Sequence, residues 1–528
     1  MFSETEGSRK AIGDVDVIYH EGLYHLFHLV LPNHDFIAHA VSTDAIHWRR
    51  VANAVFIGDP GSWDDLMLWT MHVSPDPHED GRWRMFYTGL SRRDRGRFQR
   101  IGLATSTDLY HWKKSPVYWT DDRGADDPNA IREALEKSRE HRPECRTAEI
   151  DESSCFPIVP SPDYYEAELT ESRHMLSYRD PSFVSCDRGN YLILSARVKD
   201  GPEVRRGCVA LLEETAPYQF EHRPPLHHPG QYDDIEVPNL FEIDEHYYLI
   251  GSIREDAKIR YWHSPSIDSE WKSYHDNVLM PQGNYAGRIC HDDRGMLLWC
   301  FFSMNHEDRL ADNLLPPPKR LKRDNDGLLY ASTFEAFESW KERQEDIGCI
   351  RCLSGETDEN ICHSDNSNIE LSSPSGFRAY TFDKVLESFW LKGEMILTGK
   401  GKCGLLFRFD DETHDGYYLS LDLLKGVAQL RSWGTGKAAG SESRMSFETL
   451  QSSFWFAHKP GRADISLLTF GSYLELSIDG KIVLSLADRR FRRGHVGLYL
   501  DTATVSFRNA TLWKLSNPDQ LEDQLVNG

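Results

Sequence analysis

Three acidic segments of this 528-residue chain have the residue types and settings that acid–base or nucleophilic chemistry requires. Asp14 and Asp16 lie in GDVDVI, directly before a run of strand-forming residues, and Asp180 lies in SYRDPSFV. Glu236 lies in DDIEVPNLF, where apolar neighbours should partly desolvate its carboxyl group, as a general acid requires. Asp and Glu also commonly cap turns at the starts of strands, so each carboxylate taken alone has a structural interpretation as well.

A repeat in the first two thirds of the chain indicates how these residues are positioned. AVSTDAIHW at 40–48 and ATSTDLYHW at 104–112 each follow a strand-like segment, and weaker copies of the unit end at Phe220, Trp271 and Trp340. Five such units predict a five-bladed β-propeller, and the aromatic residue that ends each unit is expected to pack between blades. Because the inner strands of a propeller surround a central depression, carboxylates at the starts of those strands should lie close together.

The chain is predicted to be all-β, with a five-bladed β-propeller followed by a C-terminal β-sandwich. Residues 1–340 form the predicted propeller, with a polar insertion at about 117–172 that includes a predicted helix over 128–141. Residues 341–373 are polar and short on periodicity, which is typical of a linker. Short alternating strands with polar turns follow over 374–528 and predict a two-sheet sandwich.

The composition limits the kinds of partner and cofactor. The 60 Lys and Arg against 83 Asp and Glu give a net charge of −23, which argues against nucleic acid and anionic membranes as partners. No run reaches the roughly 18 apolar residues of a membrane helix. The amino-terminal segment lacks the apolar core of a signal peptide, so a cytoplasmic protein is expected. Phosphate-binding loops, nucleotide fingerprints and clustered metal ligands are missing from the sequence, so neither a cofactor nor a metal is expected.

The acidic segments resemble motifs of the five-bladed propeller glycoside hydrolases, which need paired carboxylates beside the scissile bond. RDP at 179–181 matches the Arg-Asp-Pro motif of families 32 and 68. EVPNLF from Glu236 resembles the Glu-Cys-Pro-Asp-Leu-Phe motif of family 32, and IYHEGLYHLF at 18–27 resembles the segment after its nucleophile. The chain is therefore identified as similar to family 32 over nearly its whole length. GDVDVI and LWTMHV at 68–73 are closer to family 43.

The resemblance implies a role for each carboxylate. Asp14 becomes the nucleophile, Asp180 the stabiliser of an oxocarbenium-like transition state and Glu236 the general acid/base. Asp16 remains an alternative to Asp14 as the nucleophile. The substrate-binding candidates are Arg179, Trp69, His72, Asp16, His28 and Asp65. For each of them, a structural role in an ion pair, the core or a strand contact is the alternative.

The implied activity is the release, or transfer, of terminal β-D-fructofuranosyl units from sucrose- or fructan-type saccharides with retention of configuration. The family 43 features leave open an inverting α-L-arabinofuranosidase or β-xylosidase. A third interpretation is a carbohydrate-binding protein without catalysis, in which the sandwich provides a lectin-like surface. The partner in each case is an oligo- or polysaccharide, and the sandwich is expected to shield the propeller or to support a homodimer.

Overall fold

The computed structural model describes residues 11–118, 129, 133, 136–137, 148–303, 313–353, 362–365, 367–437 and 443–516. Their regular structure is nearly all β-strand. The chain divides into two units, of which the first spans Phe2–Leu279 and Gly283–Leu329 and the second spans Met280–Gln282 and Tyr330–Gly528.

The first unit is a five-bladed propeller, so the fold predicted from the repeat is confirmed. Each blade is an antiparallel sheet whose strands follow one another in chain order, except that the fifth strand of the first blade pairs with the third. The first two blades consist of β1 (Ala11–His20), β2 (Leu23–Leu31), β3 (Phe36–Ser42), β4 (Arg49–Arg50) and β5 (Val55–Phe56), then β6 (Met67–Pro75), β7 (Trp83–Leu90), β8 (Arg100–Ser106) and β9 (Lys113–Lys114). The third consists of β10 (Tyr178–Cys186), β11 (Gly189–Arg197), β12 (Gly207–Ala216) and β13 (Gln219–His227), with a 3-10 helix at Glu203–Arg205. The last two consist of β14 (Glu236–Ile243), β15 (His246–Ile253), β16 (Lys258–Ser264) and β17 (Val278–Met280), then β18 (Asn284–Asp292), β19 (Gly295–Phe302), β20 (Lys319–Arg323) and β21 (Leu329–Ser332).

Every inner strand carries a β-bulge near its start. The register shifts lie between Ile12 and Val15, Trp69 and Met71, Arg179 and Ser182, Glu236 and Asn239, and Tyr285 and Arg288. At equivalent bulge positions Asp180, Val237 and Ala286 have positive φ angles of 59°, 49° and 56°. A bulge bends its strand and changes the direction in which a side chain points. The acidic residues of these segments therefore lie where the inner strands are kinked.

Four of the five aromatic residues that end the repeat units pack between neighbouring blades. The ring-centroid distances are 5.7 Å for Trp48–Trp299, 5.6 Å for Trp112–Phe27 and 5.7 Å for Phe220–Phe86. Trp271 of the fourth blade belongs to a buried cluster with Ile193 of the third. Trp340 differs, because it ends a 3-10 helix at Glu335–Trp340 in the second unit and contacts Phe470 at 5.4 Å. The prediction of packing between blades is therefore wrong for Trp340.

The carboxyl-terminal part of the predicted insertion is attached to the second and third blades. Isolated bridges join Val117 to Ile150, Ile101 to Ile158, Phe98 to Leu176 and Tyr165 to Val198. Of the helix predicted over 128–141, residues 129, 133, 136 and 137 are described and are helical, and the remainder lies outside the described residues.

The second unit consists of two large sheets. Its strands are β22 (Lys341–Glu345), β23 (Ile350–Cys352), β24 (Cys362–Asp365), β25 (Asn368–Ser372), β26 (Phe377–Leu386), β27 (Phe389–Thr398), β28 (Lys402–Phe409), β29 (Gly416–Asp422), β30 (Val427–Lys437), β31 (Ser443–Phe454), β32 (Arg462–Phe470), β33 (Tyr473–Ile478), β34 (Lys481–Ala487), β35 (Gly494–Asp501) and β36 (Thr504–Leu515). One sheet has the order β24-β25-β36-β27-β32-β33-β34, with β22 on β36, and the other has the order β23-β26-β35-β28-β29-β30-β31. Apolar side chains of both sheets, such as Leu391 and Leu405, share one buried core, as in a sandwich.

The segment predicted as a linker is part of this second unit. Residues 341–373 contain β22 to β25, which pair within the two large sheets. These strands have only three to five residues each, which is too short for a polar sequence to show a period. Among the residues that the structure describes, no helix is long and apolar enough to cross a membrane.

Candidate active site

Asp14, Asp180 and Glu236 come from the inner strands of the first, third and fourth blades and lie close together. The Val237 backbone N–H donates to Asp180 Oδ2 at 3.0 Å, so the carboxylate of the third blade reaches the strand that begins with Glu236. The negative charges of Asp180 and Glu236 both act on Asp14. The structure thus brings together the three carboxylates that were selected from separate motifs.

Asp14 lies in the bulge of β1 and is partly buried. The Thr70 hydroxyl, in the bulge of β6, donates a hydrogen bond to its Oδ2. Burial, followed by the negative charge of Asp180, raises the pKa of Asp14 from 3.8 to about 7, against the opposing effect of Thr70. The side chain is therefore ionised, and able to act as a nucleophile, from about neutral pH upwards.

Asp16 has a different environment and is only 1% exposed. Its Oδ2 accepts the Val73 backbone N–H at 2.5 Å, and its Oδ1 lies 4.0 Å from Arg288 Nε. Burial raises the pKa of Asp16 to about 7, and Arg288 opposes this shift. Asp16 is covered and hydrogen-bonded to the neighbouring inner strand, so Asp14 is the more exposed of the two aspartates.

The raised pKa of Asp14 predicts a pH-dependent gain in stability for Asp14→Asn. Between about pH 4 and 7 the folded protein holds a proton on this group that the unfolded chain has lost, so stability falls as the pH rises through this window. Asparagine is neutral at every pH. The variant should therefore have a melting temperature above that of the wild type at pH 8, and the difference should disappear near pH 4.

Asp234→Asn provides a control of opposite sign. Burial alone would raise the pKa of Asp234, but Arg179 and Arg197 hold it below its ordinary value. This carboxylate therefore stabilises the fold near neutral pH, and its contribution declines as the pH falls towards the acid range. Melting curves of both variants from pH 4 to 8 test the pair. Equal melting temperatures for Asp14→Asn and wild type at pH 8 would contradict the raised pKa of Asp14.

Asp180 is held in one position by backbone contacts. Its φ of 59° lies in the left-handed region, which Asp and Asn tolerate better than most residues. Its N–H donates to Thr88 Oγ1 at 3.1 Å, and its carboxylate lies 3.5 Å from Arg179 Nε. Burial raises the pKa of Asp180 and Arg179 counteracts the effect. The result is a carboxylate positioned by hydrogen bonds and an ion pair, of the kind that can stabilise positive charge in a transition state.

Three donors surround Glu236, which is 8% exposed. Its Oε1 accepts hydrogen bonds from Arg179, with Nη2 at 2.6 Å, and from Arg254. Its Oε2 accepts the Tyr285 hydroxyl at 2.5 Å. Arg179 and Tyr285 lie on the inner strands of the third and fifth blades, so Glu236 is fixed from both sides.

Arg179 is in turn positioned by a second carboxylate, Asp234. Asp234 is 2% exposed and accepts Arg179 Nη2 at 3.3 Å, Arg197 Nη2 at 2.8 Å and the Ser177 hydroxyl at 2.7 Å. The Arg179 guanidinium thus bridges Asp180, Asp234 and Glu236. The arrangement holds a rigid array of N–H donors at the site.

Arg288 connects the inner strands of all five blades. It lies on β18 with no exposed surface, and its guanidinium donates to the carbonyls of Met71, Pro181 and Pro238 at 3.1, 2.8 and 3.4 Å. Those carbonyls belong to β6, β10 and β14, and the fourth contact is an ion pair with Asp16 of β1. Its positive charge also lowers the pKa values of Asp14 and Asp16, and so opposes the rise that burial causes.

Trp69 and His72, both predicted to bind substrate, lie on β6 close to Asp14. Trp69 is partly buried next to Thr70, and among the described residues its indole Nε1 has no hydrogen-bond partner. His72 Nδ1 accepts the Phe183 N–H at 3.2 Å, and burial holds the His72 pKa well below its ordinary value. The Trp69 ring is therefore partly exposed with a buried, unpaired Nε1, whereas His72 is a neutral side chain that joins β6 to β10.

His28 and Asp65, the remaining candidates, lie within the packing of the blades. His28 has no exposed surface, contacts the Leu29 carbonyl at 3.0 Å and has a pKa lowered by burial to about 3. Asp65 is 4% exposed and accepts the backbone N–H groups of Gly61 and Arg92 at 3.0 and 2.8 Å. The structural alternative fits both residues.

The sequence did not identify five residues that build the site, namely Arg197, Asp234, Arg254, Tyr285 and Arg288. Only Asp234 has a local signal, since it belongs to the acidic run that precedes Glu236. Within the described ranges, no group of three or more His, Cys, Asp or Glu side chains is placed to hold a metal ion.

The fold and the site together define the class of the protein. A carboxylate suited to nucleophilic attack, a fixed carboxylate and a hydrogen-bonded Glu lie on neighbouring inner strands of a five-bladed propeller. Paired carboxylates of this kind perform glycoside hydrolysis. The protein is a glycoside hydrolase.

A comparison with family models agrees with this class. Residues 14–133 match the model described as the glycosyl hydrolases family 32 N-terminal domain, and the match begins at Asp14. The resemblance to family 32 seen in the motifs is therefore confirmed for this amino-terminal part of the chain. No curated protein matches the chain in sequence.

Solved structures share this fold at low sequence identity. The exo-inulinase of Aspergillus awamori has a TM-score of 0.65 at 13% identity, with 98% of this chain and 97% of that chain covered. The sucrose-6-phosphate hydrolase of Lactobacillus gasseri has a TM-score of 0.64 at 16% identity, with 96% and 91% covered. The fructofuranosidase of Schwanniomyces occidentalis, complexed with fructose, has a TM-score of 0.59 at 11% identity, with 97% of each chain covered. At these identities the likeness establishes the fold.

Proposed function

We propose that this glycoside hydrolase releases terminal β-D-fructofuranosyl units from sucrose- or fructan-type saccharides with retention of configuration. The observation that carries the proposal is the joint contact of Arg179 with Asp180 and Glu236, the acidic residues of the RDP and EVPNLF segments. The structural neighbours named as an inulinase, a fructofuranosidase and a sucrose-6-phosphate hydrolase support the same class of substrate.

The reaction begins with attack on the anomeric carbon. An ionised Asp14 oxygen forms a bond to that carbon while the bond to the leaving oxygen breaks, and Glu236 gives its proton to that oxygen. The leaving saccharide departs as an alcohol, and the fructosyl unit remains as an ester of Asp14. The hydrogen bond from Thr70 holds Asp14 Oδ2, which leaves Oδ1 to attack.

The second step reverses these roles. Glu236, now a carboxylate, removes a proton from water as the water oxygen bonds to the anomeric carbon and the bond to Asp14 breaks. A sugar hydroxyl in place of water gives transfer instead of hydrolysis. Asp180 stabilises the positive charge that the ring develops in both steps, because its backbone contacts to Thr88 and Val237 hold it in place without reorganisation.

A substrate panel tests the choice of sugar. The purified full-length chain should release fructose from at least one of sucrose, inulin and levan oligosaccharides, and should release little from arabinofuranosyl and xylosyl substrates. The Glu236→Gln variant is the matched control for contaminating activity, and its rate on the best substrate should fall by about 10²–10⁴-fold because it has no proton to transfer. Release of arabinose or xylose with no release of fructose would refute the proposal and would favour the family 43-like alternative.

A further inference from the structure

A cleft at the outer part of the third and fourth blades lies apart from the carboxylate site. Its volume is about 620 Å³, which falls within the range of small-molecule sites. His227 at the end of β13, Tyr232 in the next loop and Arg260 on β16 line it. Trp271 and Tyr274, which precede β17, complete the wall.

Three buried donors or acceptors of this cleft have no partner among the described side chains and backbone groups. They are Trp271 Nε1, His227 Nε2 and Arg260 Nε. Trp271 is only 7% exposed, although its ring ends a repeat unit and would need no polar contact for packing alone. A buried N–H without a partner costs about 1–3 kcal/mol, so such groups normally meet a protein atom, a water molecule or a ligand. The side chains of all three residues line the cleft, so a bound ligand is a candidate partner for their buried, unpaired atoms.

The chemistry of the cleft fits a neutral ligand. The charge of Arg260 is already compensated, because its Nη2 lies 2.5 Å from Asp256 Oδ2 and its Nη1 donates to Asn277 at 2.8 Å. His227 is neutral as well, since burial lowers its pKa to about 4. Neutral His, Trp and Arg Nε groups provide hydrogen bonds without a net charge, which suits hydroxyl groups rather than phosphates or carboxylates.

Two tyrosine rings also border this mainly polar cleft. Tyr232 and Tyr274 are partly exposed, and Tyr232 meets Trp262 edge-on at 6.4 Å. Tyr274 is held by a stacked contact with His263 at 4.2 Å. Rigid rings beside unpartnered hydrogen-bonding groups match the alternating C–H faces and hydroxyls of a saccharide.

We infer that this cleft is a second saccharide-binding site, which takes a segment of an oligo- or polysaccharide outside the catalytic centre. The loop that carries Tyr232 continues directly into Asp234 and Glu236, so the two sites are joined by a short stretch of chain. The ligand class rests on the proposed function, whereas the cleft and its unpartnered groups do not. The site holds polymeric substrate near the carboxylates and takes no part in bond cleavage.

Affinity electrophoresis of the full-length chain tests this inference without turnover. Gels containing inulin, levan, arabinan or xylan are run with excess free fructose, which blocks binding of a fructosyl unit at the carboxylate site. At least one polysaccharide should retard the wild type. Tyr232→Ala and Trp271→Phe should each weaken the retardation by about 2–10-fold, the effect of one lost contact. Phe456→Ala, which removes an aromatic side chain 78% exposed in the other unit, is the control and should not change it.

The outcomes separate the second site from the proposed activity. Retardation by arabinan or xylan that Tyr232→Ala abolishes supports the cleft even if no fructose is ever released. Absence of retardation by all four polysaccharides, or retardation that neither variant weakens, overturns the inference and leaves the fructose-release assay unaffected. Tyr232 is partly exposed, so its alanine variant keeps the test valid if Trp271→Phe fails to fold.

Discussion

Asp14→Asn should lower kcat/KM for the best substrate by about 10⁴–10⁶-fold, the scale on which enzymes lose activity with their nucleophile. The asparagine amide cannot form the glycosyl ester of the proposed mechanism. The variant should fold at least as well as the wild type, because the burial that raises the pKa of Asp14 makes its charge unfavourable. Initial rates over a range of substrate concentrations, together with the melting temperature, measure both effects.

Asp16→Asn is the matched comparison for this prediction. The asparagine oxygen can still accept the Val73 N–H, so we expect the activity to fall by less than about tenfold from small shifts of the inner strands. An activity loss in Asp16→Asn as large as that in Asp14→Asn, with both variants folded, would reverse the assignment. Azide added to Asp14→Gly gives a direct chemical test, because a fructosyl azide of inverted configuration is expected if the missing carboxylate was the attacking group, whereas loss of the general acid/base would give the azide of retained configuration.

Arg288→Met should reduce the free energy of unfolding of the propeller by about 3–5 kcal/mol, the typical cost of removing one partner from a buried ionic network. The methionine side chain cannot donate to the carbonyls of Met71, Pro181 and Pro238, and it leaves Asp16 without its compensating charge. Chemical denaturation followed by tryptophan fluorescence measures the change. A multidomain chain can unfold in more than one transition, so the transition of the propeller must be assigned first.

The Arg408→Met variant serves to assign the unfolding transitions to the two units, and it is also the control for Arg288→Met. Arg408 is also buried, and it donates to the carbonyls of Glu387 and Phe491 at 2.9 and 3.1 Å in the second unit. Its loss should shift the transition of the sandwich and leave that of the propeller in place. An Arg288→Met variant that unfolds at the same denaturant concentration as the wild type would show that the five inner strands do not depend on this side chain.

The sequence was sufficient for the features that local patterns encode. The repeated strand, polar loop and aromatic residue predict the blades, because each blade is built from consecutive strands. The same reasoning places Asp14, Asp180 and Glu236 together, since each lies near the start of an inner strand. Trp340 follows the same sequence pattern but packs in the other unit, and a local pattern cannot indicate which neighbour a ring contacts.

The contacts that complete the site join residues far apart in the chain, so they produce no local pattern in the sequence. Tyr285 reaches Glu236 across 49 residues, and Arg288 reaches the Met71 carbonyl across 217. Val237 and Ala286 adopt positive φ angles although neither is Gly, Asn or Asp, so their residue types give no indication of the bulges. These features follow from closure of the ring and could be seen only in three dimensions.

The position of Arg288 also bears on how the product of the proposed reaction would leave. Its completely buried guanidinium donates to the inner strands of three blades and lies 4.0 Å from Asp16 on a fourth, so it occupies space that these strands enclose. On the proposed function, we expect the released unit to leave by the side on which substrate enters, so that product and incoming substrate compete for the site.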